Sequence, residues 1–236
     1  MKSVSGKPPV AAWSLLRPSF ELLRQNFEQV AYLSFLPSFI TSLGLALLNR
    51  FLDRTLVQGQ PFVIAGIQEQ LGFIVVLIGI VWSLVSFPAF VYLALKVSDN
   101  ESPGIGECYR KGLHYFWRIV ALNLLVGILT IAGFMLFIIP GIIMVRRYFL
   151  ANYYLIGKDL NVKQALLASA KNSKQFAPAI WGVIGVAAFF GVVVALFVGM
   201  IPVLGPLLSI LASYPYIFAP VLRYRELTNN MRIIQD

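Results

Sequence analysis

The chain has 236 residues, of which 58% are hydrophobic and 12% charged, and its mean hydropathy is +0.79. Soluble domains carry about 25% charged residues, so this composition excludes an ordinary soluble protein and predicts that lipid covers much of the surface. A single cysteine, Cys108, and a single histidine, His114, exclude a disulfide framework, a cysteine-ligated zinc site and any site that needs two histidines. We therefore expect no metal and no cofactor.

Long apolar runs predict an all-α, polytopic integral membrane protein with six transmembrane helices, because a span needs about 20 apolar residues to cross ~30 Å of hydrocarbon. In chain order these predicted spans are residues 30–48, 71–95, 119–138, 141–157, 178–200 and 204–222. Charged residues precede Val30, so we expect the first span to be retained and not cleaved as a signal peptide.

Two interruptions group the later spans into predicted helical hairpins. Ile139-Pro140-Gly141 separates the third span from the fourth, and Pro followed by Gly suits a type II turn. The segment 201–206, with two further prolines, separates the fifth span from the sixth.

Basic residues predict the orientation of these spans. With both termini in the cytoplasm, all but four of the 19 Lys and Arg residues lie on the cytoplasmic side. Arg50 and Arg54 fall outside, and Arg146 and Arg147 fall within the fourth span. Such asymmetry is the positive-inside signature, and it predicts a multi-pass protein of the cytoplasmic (inner) membrane.

Three amphipathic segments, 10–27, 102–116 and 161–175, each precede a pair of spans and are too polar to cross the membrane themselves. In the first segment, apolar residues recur at helical spacing at Trp13, Leu16, Phe20, Leu23 and Phe27. Ser102-Pro103 predicts the start of the second helix, and Asn161 with Gln164 predicts a capping box at the start of the third.

These segments predict three cytoplasmic interfacial helices and three units of one surface helix plus two spans. The alternative is that any basic linker between spans resembles an amphipathic helix. Under either interpretation a basic inner surface favours anionic lipids, by about 1 kcal/mol for each well-placed cation. The residues expected to face headgroups are Arg17, Arg24, Arg110, Lys111, Lys163, Lys171 and Lys174.

Small residues and prolines bear on how the spans pack. Small residues recur every four positions in the fifth span, at Ala187, Gly191, Ala195 and Gly199. Such a stripe predicts close contact with another helix, within the bundle or across a dimer. Prolines within spans predict kinks, at Pro37, Pro88, Pro215 and Pro220.

Arg146 and Arg147 are the main candidate functional residues, because a charge at the bilayer centre costs roughly 2.5–3.5 kcal/mol on insertion scales. Arg146 is predicted about 7–8 Å from the outer end of the fourth span, at 1.5 Å per residue. No Asp or Glu lies in a predicted span, so the arginines need other partners, among them Asn123, Asn152 or a lipid phosphate. Three interpretations stay open: snorkelling structural anchors, a site for an anionic ligand or headgroup, or a misplaced span boundary. Asn123 and Asn152 are polar residues within spans, where an interhelical hydrogen bond is commoner than a ligand site.

The stretch 138–174 includes Pro140-Gly141-Ile142, Arg146, Asp159, Ala165-Leu166 and Ser169. It resembles the hallmark of a broad prokaryotic group of six-span proteins. That group includes the YciC-like inner-membrane proteins and the membrane domain attached to some glycerophosphodiester phosphodiesterases. One histidine cannot supply that enzyme's histidine pair, so the resemblance implies the membrane module and not the hydrolase.

The sequence favours a non-enzymatic membrane protein that binds or organises lipids or supports envelope homeostasis. Its expected partners are anionic membrane lipids and not nucleic acid, and a homo-oligomer or a membrane partner protein stays open. The alternative is a transporter or channel for an anionic or amphipathic solute, although the lack of buried acids disfavours proton or cation coupling. A lipid-modifying enzyme would need an acid–base constellation that the sequence does not contain.

Overall fold

The computed structural model describes residues 9–35, 44, 61–198 and 216–235, and in these ranges the chain is helical and forms no strand. A 3₁₀ turn leads into α1, and α2 continues as a π-helical turn at Ala31–Phe35. The helices are α1 (Leu16–Gln25), α2 (Phe27–Val30), α3 (Pro61–Ser98), α4 (Ile105–Leu136), α5 (Ile138–Tyr148), α6 (Ala151–Gly157), α7 (Val162–Gln175), α8 (Ala177–Val198) and α9 (Ala219–Gln235).

Two helices are long and apolar enough to cross a membrane, namely Phe73–Ser98 of α3 and all of α4. A third span results if α7 and the first part of α8 count as one, although they are bent by 100°. The predicted spans 30–48 and 204–222 lie mostly outside the described residues, as does the break at 201–206. Where the description resumes, Tyr216–Phe218 are not α-helical, and α9 extends well beyond the predicted end at residue 222.

The predicted boundary between a second surface helix and the third span is absent, because α4 runs without a break from Ile105 to Leu136. No proline or capping residue interrupts Phe116-Trp117-Arg118, so the helical hydrogen bonds continue. The predicted cap at Ser102 is also wrong. The N-cap is Gly104, and the Ser102 hydroxyl lies 3.5 Å from the Asn26 side-chain oxygen.

α5 folds back against α4 near the predicted hairpin, but the turn is not at Pro140-Gly141. A single extended residue, Phe137, separates α4 from α5, with φ −166° and ψ 160°. Pro140 lies in the first turn of α5, where its missing N–H leaves no helical bond unmade. Gly141 packs directly on α4, since a Cβ there would lie 2.4 Å from the Phe134 ring.

The predicted fourth span, 141–157, is two helices and not one. α5 ends at Tyr148 and α6 begins at Ala151, with Leu150 at φ −97° and ψ 5° between them. Four residues of α6, Tyr153 to Ile156, are buried, whereas much of α5 is exposed. The break therefore separates an exposed apolar helix from one that lies in the core.

The predicted capping box of the third surface helix is confirmed. The Gln164 N–H donates to the Asn161 side chain at 3.0 Å, and the Asn161 N–H donates to the Gln164 side chain at 3.3 Å. α7 ends at Gln175, and the next residue, Phe176, has φ −114° and ψ 36°. α8 then leaves at 100° to α7. α1 ends in nearly the same backbone conformation at Asn26 (φ −119°, ψ 30°).

Buried side chains concentrate where α1, α6, α7 and the start of α9 meet the end of α3. The largest fully buried apolar residues include Leu33, Leu93, Leu122, Tyr154, Leu155, Ile180, Phe218 and Tyr224. Burial raises the pKa of Tyr224 to about 12, so its hydroxyl stays protonated.

The part of α3 from residue 73 onward, the second half of α4 and most of α5 expose large apolar side chains, among them Met135 at 84%. Phe137, between α4 and α5, is 74% exposed. Continuous apolar exposure of this kind marks a surface that contacts lipid or another protein.

The predicted proline kinks are only partly visible. Pro88 lies inside α3, which stays continuous, and Pro220 lies in the first turn of α9, where proline is tolerated. Pro37 and Pro215 lie outside the described residues.

Candidate functional site

Arg146 and Arg147 occupy the last turn of α5, immediately before the break. α5 begins at Ile138, three residues earlier than predicted, so Arg146 lies about 12 Å from the start of the helix at 1.5 Å per residue. Arg146 is half-buried and Arg147 is exposed, because neighbouring helical residues point about 100° apart. The arginines are thus farther from the hairpin turn than the sequence indicated.

Two serines of α7 cap the end of α5. The Ser169 hydroxyl donates to the carbonyl of Arg147 at 2.9 Å, and the Ser173 hydroxyl donates to that of Arg146 at 2.9 Å. A helix leaves its last four carbonyls without intrahelical partners, and buried carbonyls must find other donors. The serines lie four residues apart on one face of α7 and satisfy two of these carbonyls. Sequence reasoning missed this contact, although their spacing in an amphipathic helix was a usable signal.

The guanidinium groups of the two arginines keep free donors in the described part of the chain. Arg146 Nε is buried and has no hydrogen-bond partner there. The Arg147 guanidinium carbon lies 6.0 Å from the centre of the Tyr148 ring, at the limit of a cation–π contact. Other basic residues make the ion pairs found among the described residues: Lys96–Glu101, Arg118–Asp159, Arg223–Glu226 and Arg225–Asp99.

Asn123 and Asn152 form the interhelical hydrogen bond that the sequence favoured. Asn152 Nδ2 donates to Asn123 Oδ1 at 3.1 Å, which joins α6 to α4. Just past the end of α6, Asp159 Oδ1 pairs with Arg118 Nη1 of α4 at 2.9 Å. α6 therefore continues antiparallel to α4 beyond the break, and the asparagines hold helices together instead of meeting the arginines.

Cationic and apolar surfaces adjoin at the end of α5. α7, which supplies the capping serines, exposes Lys171 and Lys174. α5 itself exposes Ile142 and Ile143 one turn before Arg146. This arrangement can place an anionic group on the cations and apolar chains along α5.

The seven residues expected to face headgroups are all exposed: Arg17, Arg24, Arg110, Lys111, Lys163, Lys171 and Lys174. In the segment 10–27 the predicted apolar face is partly buried and partly exposed. Leu23 is buried, but Trp13, Phe20 and Phe27 are 57%, 51% and 56% exposed. The exposed aromatic residues alternate with Arg17 and Arg24, which suits a helix at a membrane interface.

The small-residue stripe of α8 does not face another helix in the part of the chain that the structure describes. Ala187 and Gly191 are exposed, and a Cβ at Gly191 would meet nothing within 4 Å. The Ala195 side chain and Gly199 lie outside the described residues. Contact across a dimer stays a prediction.

Arg225 was expected only as one of many cytoplasmic cations, yet it fastens α9 to the end of α3. Its Nε donates to the Ser98 hydroxyl at 3.0 Å, its Nη2 donates to the Leu95 carbonyl at 3.2 Å, and it pairs with Asp99. These contacts fix the position of α9 against α3.

Comparison of the chain with family models, curated proteins and solved structures finds no match. Among the described residues, no group of three or more His, Cys, Asp and Glu could hold a metal ion.

Proposed function

We propose that this chain is a non-enzymatic integral membrane protein of the cytoplasmic membrane that holds an anionic lipid headgroup at Arg146 and Arg147. The observation that carries the proposal is the buried, unpartnered Arg146 Nε beside exposed apolar residues of α5. A buried donor without a partner costs about 1–3 kcal/mol, and a phosphate oxygen would remove that cost. The same phosphate would be attracted to Arg147, the next residue of α5.

The proposed architecture is six spans with both termini in the cytoplasm, arranged as three units. One close contact of each surface segment supports the units. On α1, the Ser19 hydroxyl accepts from the Phe218 N–H at 3.1 Å. On α4, a Cβ at Gly112 would lie 2.7 Å from the Ala89 backbone nitrogen.

On α7, Ser169 contacts the Arg147 carbonyl. Each surface segment thus packs a small residue against an even-numbered predicted span. α4 and α7 contact the second and fourth spans, which precede them in the chain, and α1 contacts the sixth. Each surface segment would thus contact the second span of the unit before it, and the three units would close into a ring. A triplicated unit would produce this order of contacts.

Membership of the YciC-like group of six-span proteins is part of the same proposal. It rests on the stretch 138–174, in which Ser169 donates to the carbonyl of Arg147 at the break between α5 and α6. The resemblance supports a membrane module and names no substrate.

A transporter for an anionic or amphipathic solute is the second candidate. The α5–α6 break favours it, because transporters often bind substrates at discontinuous helices. Two carbonyls at this break already accept from Ser169 and Ser173, so each keeps at most one lone pair for a solute. Lipid binding at the arginine side chains is therefore the better supported function.

Native mass spectrometry of the gently purified protein tests the proposal, with wild type beside Arg146→Ala and Arg147→Ala. We expect wild type to retain an anionic phospholipid that either substitution removes. Arg118→Ala is the matched control, because Arg118 is an exposed arginine of α4 that pairs with Asp159, just past α6. This variant should keep the adduct.

Identical adducts in all four proteins would refute the headgroup site and leave the arginines as structural anchors. A retained soluble anion that is lost with either arginine would favour transport. Uptake of that anion into proteoliposomes would then be measured for wild type and both variants.

A further inference from the structure

A cavity of about 200 Å³ lies between the N-terminal segment and the first turns of α8. Val10 and Ala12 line one side, Pro178, Ala179 and Gly182 line the other, and Arg223 of α9 completes the wall. The lining is small and apolar apart from one guanidinium. It shares no residue with the Arg146 and Arg147 region.

Arg223 is fully buried, and its guanidinium is only partly used. Nη1 lies 2.5 Å from Glu226 Oε2, and Nη2 donates to the Val10 carbonyl at 2.9 Å. Nε is buried without a hydrogen-bond partner in the described residues. A guanidinium held rigidly on two sides with its third edge free is prepared for an acceptor.

Glu226 does not occupy that third edge. Its Oε1 accepts from the Val10 N–H at 2.6 Å, and its Oε2 is taken by Arg223 Nη1. It is not among the residues that line the cavity. The carboxylate therefore anchors the N-terminal segment and leaves Arg223 Nε without an acceptor in the described residues.

The N-terminus of α8 meets the same cavity. α8 has 22 residues, and its helical ladder begins where the Ile180 N–H donates to the Phe176 carbonyl at 3.2 Å. The N–H groups of Ala177 and Ala179 precede this ladder, and Pro178 has none. A helix N-terminus carries a partial positive charge and unused N–H donors, which together favour anions.

We infer that this cavity binds a phosphate group, with Arg223 Nε and the first turn of α8 as its donors. The phosphate belongs either to an anionic lipid headgroup or to a soluble phosphate compound, since both present the same oxygens. The site is separate from the proposed headgroup site at Arg146, so either can fail alone.

Pro178→Glu tests the site without disturbing the buried arginine. Pro178 is exposed, and a carboxylate in the first turn of a helix is favourable, so the variant should fold. The added negative charge at the cavity should weaken phosphate binding by about tenfold or more. Pro178→Gln is the matched neutral control and should bind as wild type does.

The measurement is the unfolding temperature in detergent as inorganic phosphate is added against sodium chloride of equal ionic strength. We expect phosphate to raise it for wild type and Pro178→Gln but not for Pro178→Glu. A parallel series compares nanodiscs of phosphatidylglycerol with nanodiscs of phosphatidylcholine. A difference found only in nanodiscs, and lost in Pro178→Glu, would identify the lipid headgroup as the source.

No response in either series, or equal responses of the Glu and Gln variants, would overturn the inference. Arg146→Ala separates the two sites. It should respond to phosphate as wild type does, even where it has lost the adduct in native mass spectrometry.

Discussion

α4 and the α7–α8 pair were predicted from the same pattern, a basic amphipathic segment followed by an apolar span, yet they fold differently. α4 passes straight through the predicted boundary, whereas α7 stops at Phe176 and α8 leaves at 100°. The difference lies in local signals and in packing. α7 has a capping box at its start and Pro178 just past its end, which favours a stop.

α4 has neither signal, and its first half lies against α3. Gly112 meets the backbone of Ala89, and Tyr92 donates to Glu107 at 2.8 Å. Contact with α3 holds this half of α4 in line with its apolar half. Amphipathic character therefore predicts a surface-seeking helix, but it does not predict whether the chain turns after it.

The largest effect should come from Gly112→Ala, which tests the contact that aligns α4 with α3. The new Cβ would lie 2.7 Å from the Ala89 nitrogen, and relief requires a backbone shift that costs about 1–3 kcal/mol. Gly127→Ala in the same helix is the control, because a Cβ there meets nothing within 4 Å. Alanine should stabilise the helix at that position by up to about 1 kcal/mol.

Thermal unfolding in detergent measures both variants of α4. A fall in unfolding temperature for Gly112→Ala and a small rise for Gly127→Ala are expected. Equal shifts would show that α4 does not depend on close contact with α3.

A smaller effect is expected from removing the two serines that hold α7 against α5. Ser169→Ala with Ser173→Ala leaves the carbonyls of Arg147 and Arg146 without these donors, and each bond contributes about 0.5–1.5 kcal/mol. Ser14→Ala is the control, since Ser14 is exposed and bonds only within its own turn. Protection of the amides around residue 150 from hydrogen exchange should fall in the double variant alone. Unchanged protection would mean that the break does not need its caps.

The smallest effect should distinguish the start of α7 from that of α4. Asn161→Ala removes the capping box and should lower the free energy of unfolding by about 1 kcal/mol. Ser102→Ala should have almost no effect, because Ser102 does not cap α4. Chemical denaturation of both variants beside wild type measures the two changes. A loss at Ser102 as large as that at Asn161 would contradict the assigned N-cap of α4.

The amino-acid pattern alone predicted the helical class, the apolar surface and the places where local chemistry is decisive. The Asn161–Gln164 box formed as predicted because its two bonds join residues three apart. The Asn123–Asn152 bond was foreseeable because polar amides within apolar helices favour hydrogen bonds between helices. The exposure of the seven residues expected to face headgroups followed from the cost of burying unpaired charge.

Where the chain bends, and which polar groups meet, depends on how distant helices pack. The break at Phe149 and Leu150 contains no proline or glycine that would predict it from the sequence. It is stabilised by hydroxyls of α7 that donate to the freed carbonyls. Arg223 looked like any cytoplasmic cation in the sequence, yet it is fully buried against Val10, which lies at the other end of the chain. Periodicity and capping act within a few residues, whereas these contacts depend on helices distant in sequence packing side by side.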